Sequence, residues 1–138
     1  MSYDLSRFVT AQERSYDAAL SEIINGRKRT HWMWYIFPQL DGLGRSSTAQ
    51  YYAISNLQEA KEYYAHPVLG PRLVEITEAL LTLDSDDATA VMGYPDDLKL
   101  HSSMTLFAVA SGNPVFSKVL EKYYGGSQDR LTLRLLGL

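Results

Sequence analysis

GYPDDLKLHSSMTLFAVASGNP, residues 93–114, carries a helix together with the signals that bound it. Pro95 suits the opening of a helix, because its fixed φ fits the first turn and its missing N–H would have no partner there. Asp96 and Asp97 then set negative charge at the positive end of the helix dipole. Leu100, Met104, Phe107 and Ala108 recur at three- and four-residue spacing, which stacks them on one face. Gly112-Asn113-Pro114 ends that run and starts another helix, bearing Phe116, Val119, Leu120 and Tyr123 and stopped by Gly125-Gly126.

The same grammar extends in both directions. Asp84 to Asp87 form an acidic cap for a brief helix to Met92, closed by Gly93. Pro71 fits the first turn of a longer helix carrying Leu73, Ile76, Leu80 and Leu81. Ser55 and Asn56 cap a segment that ends at His66-Pro67, and Ser46 or Ser47 starts a short one through Ala53. Thr30 is placed to cap a helix through Ile36, which must stop before Phe37-Pro38. Thr10 and Glu13 form a capping box ahead of Tyr16, Leu20, Ile23 and Ile24, with Asn25-Gly26 as the stop. In the tail, Leu131, Leu133 and Leu135 alternate like a strand, but a lone strand has no partner and Leu131, Leu135 and Leu138 suit a helix. The expectation is an all-α fold, a single domain over residues 1–138 with roughly seven to nine helices, several of them short.

Composition narrows the functional classes. A hydrophobic content of 46% and a charged content of 21% belong to a globular chain. The net charge of −3 argues against nucleic acid or an anionic membrane as partner, since both select basic surfaces. With no cysteine, thiol catalysis and zinc–thiolate sites are impossible. MSYDLSRF lacks the basic-then-apolar order of a signal peptide, so the expected location is cytoplasmic.

The block HWMWYIFPQLDGLGRS, residues 31–46, holds both tryptophans beside a proline stop and a Gly-x-Gly turn. Together with DLSRFVTAQ (4–12), EAKEYYAHPVLGPRL (59–73), GYPDDLKLHSSMTLF (93–107) and the closing residues 129–136, it resembles the DUF1810 family of small bacterial and fungal proteins. The resemblance spans essentially the whole chain and implies a mainly helical fold; it implies no activity. Some members of that family are labelled calpastatin, an extended inhibitor that folds onto its protease, whereas the globular composition and repeated helix caps here describe a chain that folds by itself.

Several residues are candidates for binding. The Gly42–Ser46 turn leads into a helix start, where converging N–H groups and the dipole attract anions, and Arg45 could add a bidentate contact. Taken alone, the turn reads more simply as a chain reversal with a solvated arginine, because no Walker lysine or Rossmann strand accompanies it. Lys99, Ser102 and Ser103 share a helix face, as a lysine above two hydroxyls, though serines in mid-helix often bond the preceding turn. Arg72 opens another helix, where a salt bridge to Glu59, Glu62 or Glu75 is the simplest role. If these segments converge, Arg45, Arg72 and Lys99 would hold the charge of a small anionic, nucleotide-like ligand. Trp32 and Trp34 would stack its ring, and Gln39, Ser46 and Ser103 would orient it. Should the chain be an enzyme, His31 is the group most able to move a proton near neutral pH.

No metal and no cofactor are expected. His31, His66 and His101 lack metal spacing, and the Asp84–Asp87 cluster fails as a calcium loop, with Thr89 at the sixth position and Pro95 at the twelfth. Arg27-Lys28-Arg29 reads as a solvated connector. The alternative function is a non-catalytic protein-interaction module using exposed aromatics, Tyr51/Tyr52 or Trp32/Trp34; the ten tyrosines include three adjacent pairs in which one ring can be buried and the other left outside. A third possibility makes the Trp32/Trp34 block simply core.

Overall fold

The computed structural model describes residues 3–138, which form nine helices and no strand. These are α1 (Ser6–Ile24), α2 (Met33–Ile36), α3 (Ser47–Tyr51), α4 (Leu57–Ala65), α5 (Leu69–Leu81), α6 (Ala88–Met92), α7 (Asp96–Ser111), α8 (Pro114–Tyr124) and α9 (Arg130–Leu135).

Most boundaries follow the capping chemistry. Ser46 accepts from the Ala49 N–H at 3.1 Å, Asn56 from Glu59 at 2.9 Å, Asn113 from Val115 at 2.9 Å and Asp129 from Thr132 at 3.0 Å. Asp87 accepts from both Thr89 and Ala90. Gly112 and Gly125 close α7 and α8 in the left-handed region, with φ of 68° and 63°.

Two starts differ from the expectation. α1 begins at Ser6, a turn before Thr10, because the Asp4 carboxylate takes the Ser6 N–H at 2.9 Å and the extra turn brings Phe8 into the core. Thr30 caps nothing; its hydroxyl donates to Glu22 on α1 at 2.6 Å, and α2 starts with no side-chain cap.

α7 is the central helix, packed against α4, α6, α8 and α9. Leu100, Met104 and Phe107 are fully buried as their spacing predicts, but so are Ser103, Thr105 and Leu106, while Ala108 is only half-buried. A helix enclosed this far round needs its polar side chains satisfied locally. Ser102, Thr105 and Ser111 accordingly donate to the carbonyls of Leu98, His101 and Phe107. An aromatic chain crosses the core from α1 to α8: Phe8 meets Tyr63 edge-on at 5.0 Å, Tyr63 meets Phe107 at 5.3 Å, and Phe107 meets Phe116 at 5.9 Å. Each such pair adds about 0.5–1.5 kcal/mol beyond its buried area.

The segment between α2 and α4 is tied down by one parallel bridge. The Ile54 N–H donates to the Gln39 carbonyl at 2.9 Å, and the Asp41 N–H to the Ile54 carbonyl at 2.7 Å. Phe37, Leu40 and Ile54 anchor it in the core. This bridge places Gln39 against the first turns of α7.

Candidate functional site

Lys99 sits on α7 with its side chain about one-quarter exposed. Its Nζ lies 5.2 Å from the centre of the Trp34 ring and 3.6 Å from Asp96 Oδ1. Asp96 is shared: its other oxygen receives Lys28 Nζ at 2.8 Å, and that lysine lies 5.0 Å from the Trp32 ring. Two lysine–tryptophan pairs thus meet on one carboxylate, and the group keeps one net positive charge. Lys28 is no solvated connector. Its side chain is 7% exposed, and its ammonium also donates to the Thr30 carbonyl.

Beside Lys99 opens a cleft of about 360 Å³, walled by Leu43, Gly44, Pro95, Leu98 and Leu131 and edged by Gln39, His101, Ser102 and Asp129. Leu98 and Leu131 remain 52% and 46% exposed, so apolar surface faces water on both walls. Gly44 is needed for close approach: a Cβ there would sit 2.5 Å from the Ala49 Cβ and 3.2 Å from Gln39 Nε2. The Asp129 carboxylate is turned into the start of α9, accepting from the Thr132 N–H at 3.0 Å and the Thr132 hydroxyl at 2.5 Å, and sharing the Ser102 proton, at 3.3 Å, with the Leu98 carbonyl. Lys99 also lines a pinched space with Trp34, Phe37, Gln39 and Tyr52 that measures only about 10 Å³, room for one water at most.

Trp34, Gln39 and Lys99 therefore come together, and the other candidates do not. Trp32 is 1% exposed within the core and donates its Nε1–H to Glu22 at 3.0 Å. Arg45 is exposed and lies outside the cleft, although neighbouring Gly44 lines it. Ser46 spends its hydroxyl on the α3 cap. Arg72 lies over the Tyr16 ring at 5.2 Å, at the contact of α5 with α1. Ser103 is fully buried with its hydroxyl unpartnered, so only Ser102 of that pair reaches the cleft. His31 is exposed and outside it as well. The residues that sequence reasoning missed here are Leu43, Leu98 and Leu131, whose signal was apolar side chains at positions the helical stripes leave outside.

Glu22 underpins this side of the molecule. Burial would push its carboxyl up, but the Thr30 hydroxyl, the N–H groups of Arg29 and Thr30, and the Trp32 indole all donate to it. They outweigh burial and hold its pKa down at about 2.

The model of a family described as "protein of unknown function (DUF1810)" matches residues 2–136. The chain belongs to the DUF1810 family. Its fold is also similar to the conserved hypothetical protein Rv1873 from Mycobacterium tuberculosis, known from a crystal structure. The two are 50% identical over 99% of this chain and 98% of that one, with a TM-score of 0.96. No curated protein matches the chain. Among the described residues no helix is long and apolar enough to cross a membrane, and no group of histidines and carboxylates is arranged to hold a metal ion.

Proposed function

We propose that the Lys99 cleft binds a small organic monoanion, such as a carboxylate or sulfonate, with an apolar body. The observation that carries this is the single net positive charge of the Lys28–Asp96–Lys99 group at the edge of a concave site with exposed leucine walls. Lys99 and the Gln39 amide would receive the charged head, and Leu43, Pro95, Leu98 and Leu131 would cover the body. One net charge suits a monoanion better than a polyphosphate. Trp32, buried and hydrogen-bonded, is not free to stack a base, which narrows the ligand away from a nucleotide. Titrating octanoate, phenylacetate and benzenesulfonate while following tryptophan fluorescence tests this. Saturable binding that is lost in Lys99→Ala and kept in Arg45→Ala supports the proposal; equal binding in wild type and Lys99→Ala overturns it.

Tyr51 supports a second reading, a protein-partner surface. It is 61% exposed and packs edge-on against Tyr52 at 4.8 Å, leaving a large apolar ring in water. Recovery of an identical set of partners by Tyr51→Ala would remove that reading.

A further inference from the structure

The Lys99 cleft holds a second charge, of opposite sign. α7 supplies Lys99 and the Leu98 wall, while the start of α9 supplies Asp129 and the Leu131 wall. Among the described residues Asp129 is in no ion pair, with Lys99 or any other cation. Its polar groups are spent with one exception. The N–H donates to the Thr105 hydroxyl at 2.9 Å, and the carbonyl accepts from the Leu133 N–H at 3.2 Å. The Thr132 N–H, the Thr132 hydroxyl and the shared Ser102 proton all fall on Oδ2. Oδ1 receives none of these bonds, and it is not closed off from water. Its neighbours on the cleft edge are occupied: Ser102 also bonds the Leu98 carbonyl, and His101 donates from Nε2 to the Ser127 carbonyl at 2.8 Å. Asp129 Oδ1 is therefore the acceptor that this edge offers a ligand.

Counting Asp129, the cleft carries two lysines against two carboxylates, so it is neutral overall but polarised. A plain monoanion matches Lys99 and leaves Asp129 unmatched. A molecule with an ammonium across an apolar chain from its carboxylate matches both, and its methylenes lie against the leucine walls. The scale comes from α7: Ser102 stands about 5 Å along the helix from Lys99, and Asp129 Oδ2 lies 3.3 Å beyond its hydroxyl. We infer that the ligand of this cleft is a zwitterion of the ω-amino acid class, held by Lys99 at its carboxylate and by Asp129 Oδ1 at its ammonium. The inference rests on the Lys99 reading for the anionic head and adds the cationic end.

Isothermal titration tests this by comparing each ω-amino acid with its plain alkanoate: 4-aminobutanoate with butanoate, 6-aminohexanoate with hexanoate, and 8-aminooctanoate with octanoate. In wild type the best-fitting amino acid should bind about fivefold tighter than its alkanoate. An ammonium brought into an apolar cleft without an anion to meet it would weaken binding instead. In Asp129→Asn that ratio should fall to one or below. Asparagine caps a helix as well as aspartate does, so α9 keeps its start while the charge is lost. Alkanoate binding that is lost in Lys99→Ala, with every ω-amino acid weaker than its alkanoate in wild type, would overturn this inference and leave the anion site standing. A ratio unchanged in Asp129→Asn would overturn it as well, and no saturable binding of either kind would overturn both readings.

Discussion

Replacing Glu22 probes how the tryptophan-bearing side of the molecule is held. In Glu22→Ala, the buried Trp32 Nε1–H loses a charged acceptor at 3.0 Å, which costs about 1.5–3 kcal/mol. The bonds from the Thr30 hydroxyl, the Thr30 N–H and the Arg29 N–H are at exposed positions and add about 0.5–1 kcal/mol each. The sum is about 3–6 kcal/mol, and the melting midpoint should fall by roughly 10 °C or more. Glu22→Gln keeps one acceptor oxygen but not the charge, so it should cost about half as much. The pH dependence gives a sharper check. The folded pKa of about 2 lies below the usual 4.5, so the stabilisation is complete above that usual value and is lost as pH falls toward 2. Urea unfolding of wild type and Glu22→Gln, monitored by tryptophan fluorescence from pH 7 to pH 2.5, should show the gap between them closing below about pH 4.5. A gap that stays constant to pH 2.5 would refute the assignment of that stability to the ionised carboxylate.

Other outcomes follow from individual contacts. Gly70→Ala would put a Cβ 2.0 Å from the Tyr64 carbonyl oxygen, so the α4–α5 corner must shift and chemical denaturation should show a loss of about 2 kcal/mol or more. Burial, reinforced by the hydrogen bond from its hydroxyl to Glu75, raises the Tyr16 pKa well above the usual tyrosine value; burial raises Tyr63, burial with the Asp86 charge raises Tyr123 to about 12, and burial with the Asp97 charge raises Tyr124. These neutral rings contribute stability that is complete below pH 10 and is lost as pH climbs through the raised values, so their ultraviolet ionisation step should coincide with the loss of helical circular dichroism.

The capping residues made the helix order legible, because a side chain bonding the N–H two or three residues on is a local event. Asn56, Asp87 and Asn113 needed no knowledge of the rest of the fold. Thr10 misled for the complementary reason: its capping-box spacing is local, but the burial of Phe8 that extends α1 is not. Choosing between Trp32 and Trp34 lay beyond periodicity, since α2 is a single turn and tertiary contacts decide which indole turns inward. Lys28 and Asp96 are far apart in the chain, and nothing in Arg27-Lys28-Arg29 marks the middle residue as the buried one. Around α7, the stripe of Leu100, Met104 and Phe107 was visible, while the burial of Ser103 and Thr105 came from α9 and α4 closing over the remaining faces.

Nitrogen-15 correlation spectra of the protein with and without octanoate test the central claim most directly. Binding at the proposed cleft should shift the Gln39 side-chain amide and the backbone signals of Leu43, Leu98, Lys99 and Leu131, and these shifts should vanish in Lys99→Ala. Shifts confined to other surfaces, or the same shifts in Lys99→Ala, would contradict the assignment of this cleft as an anion site.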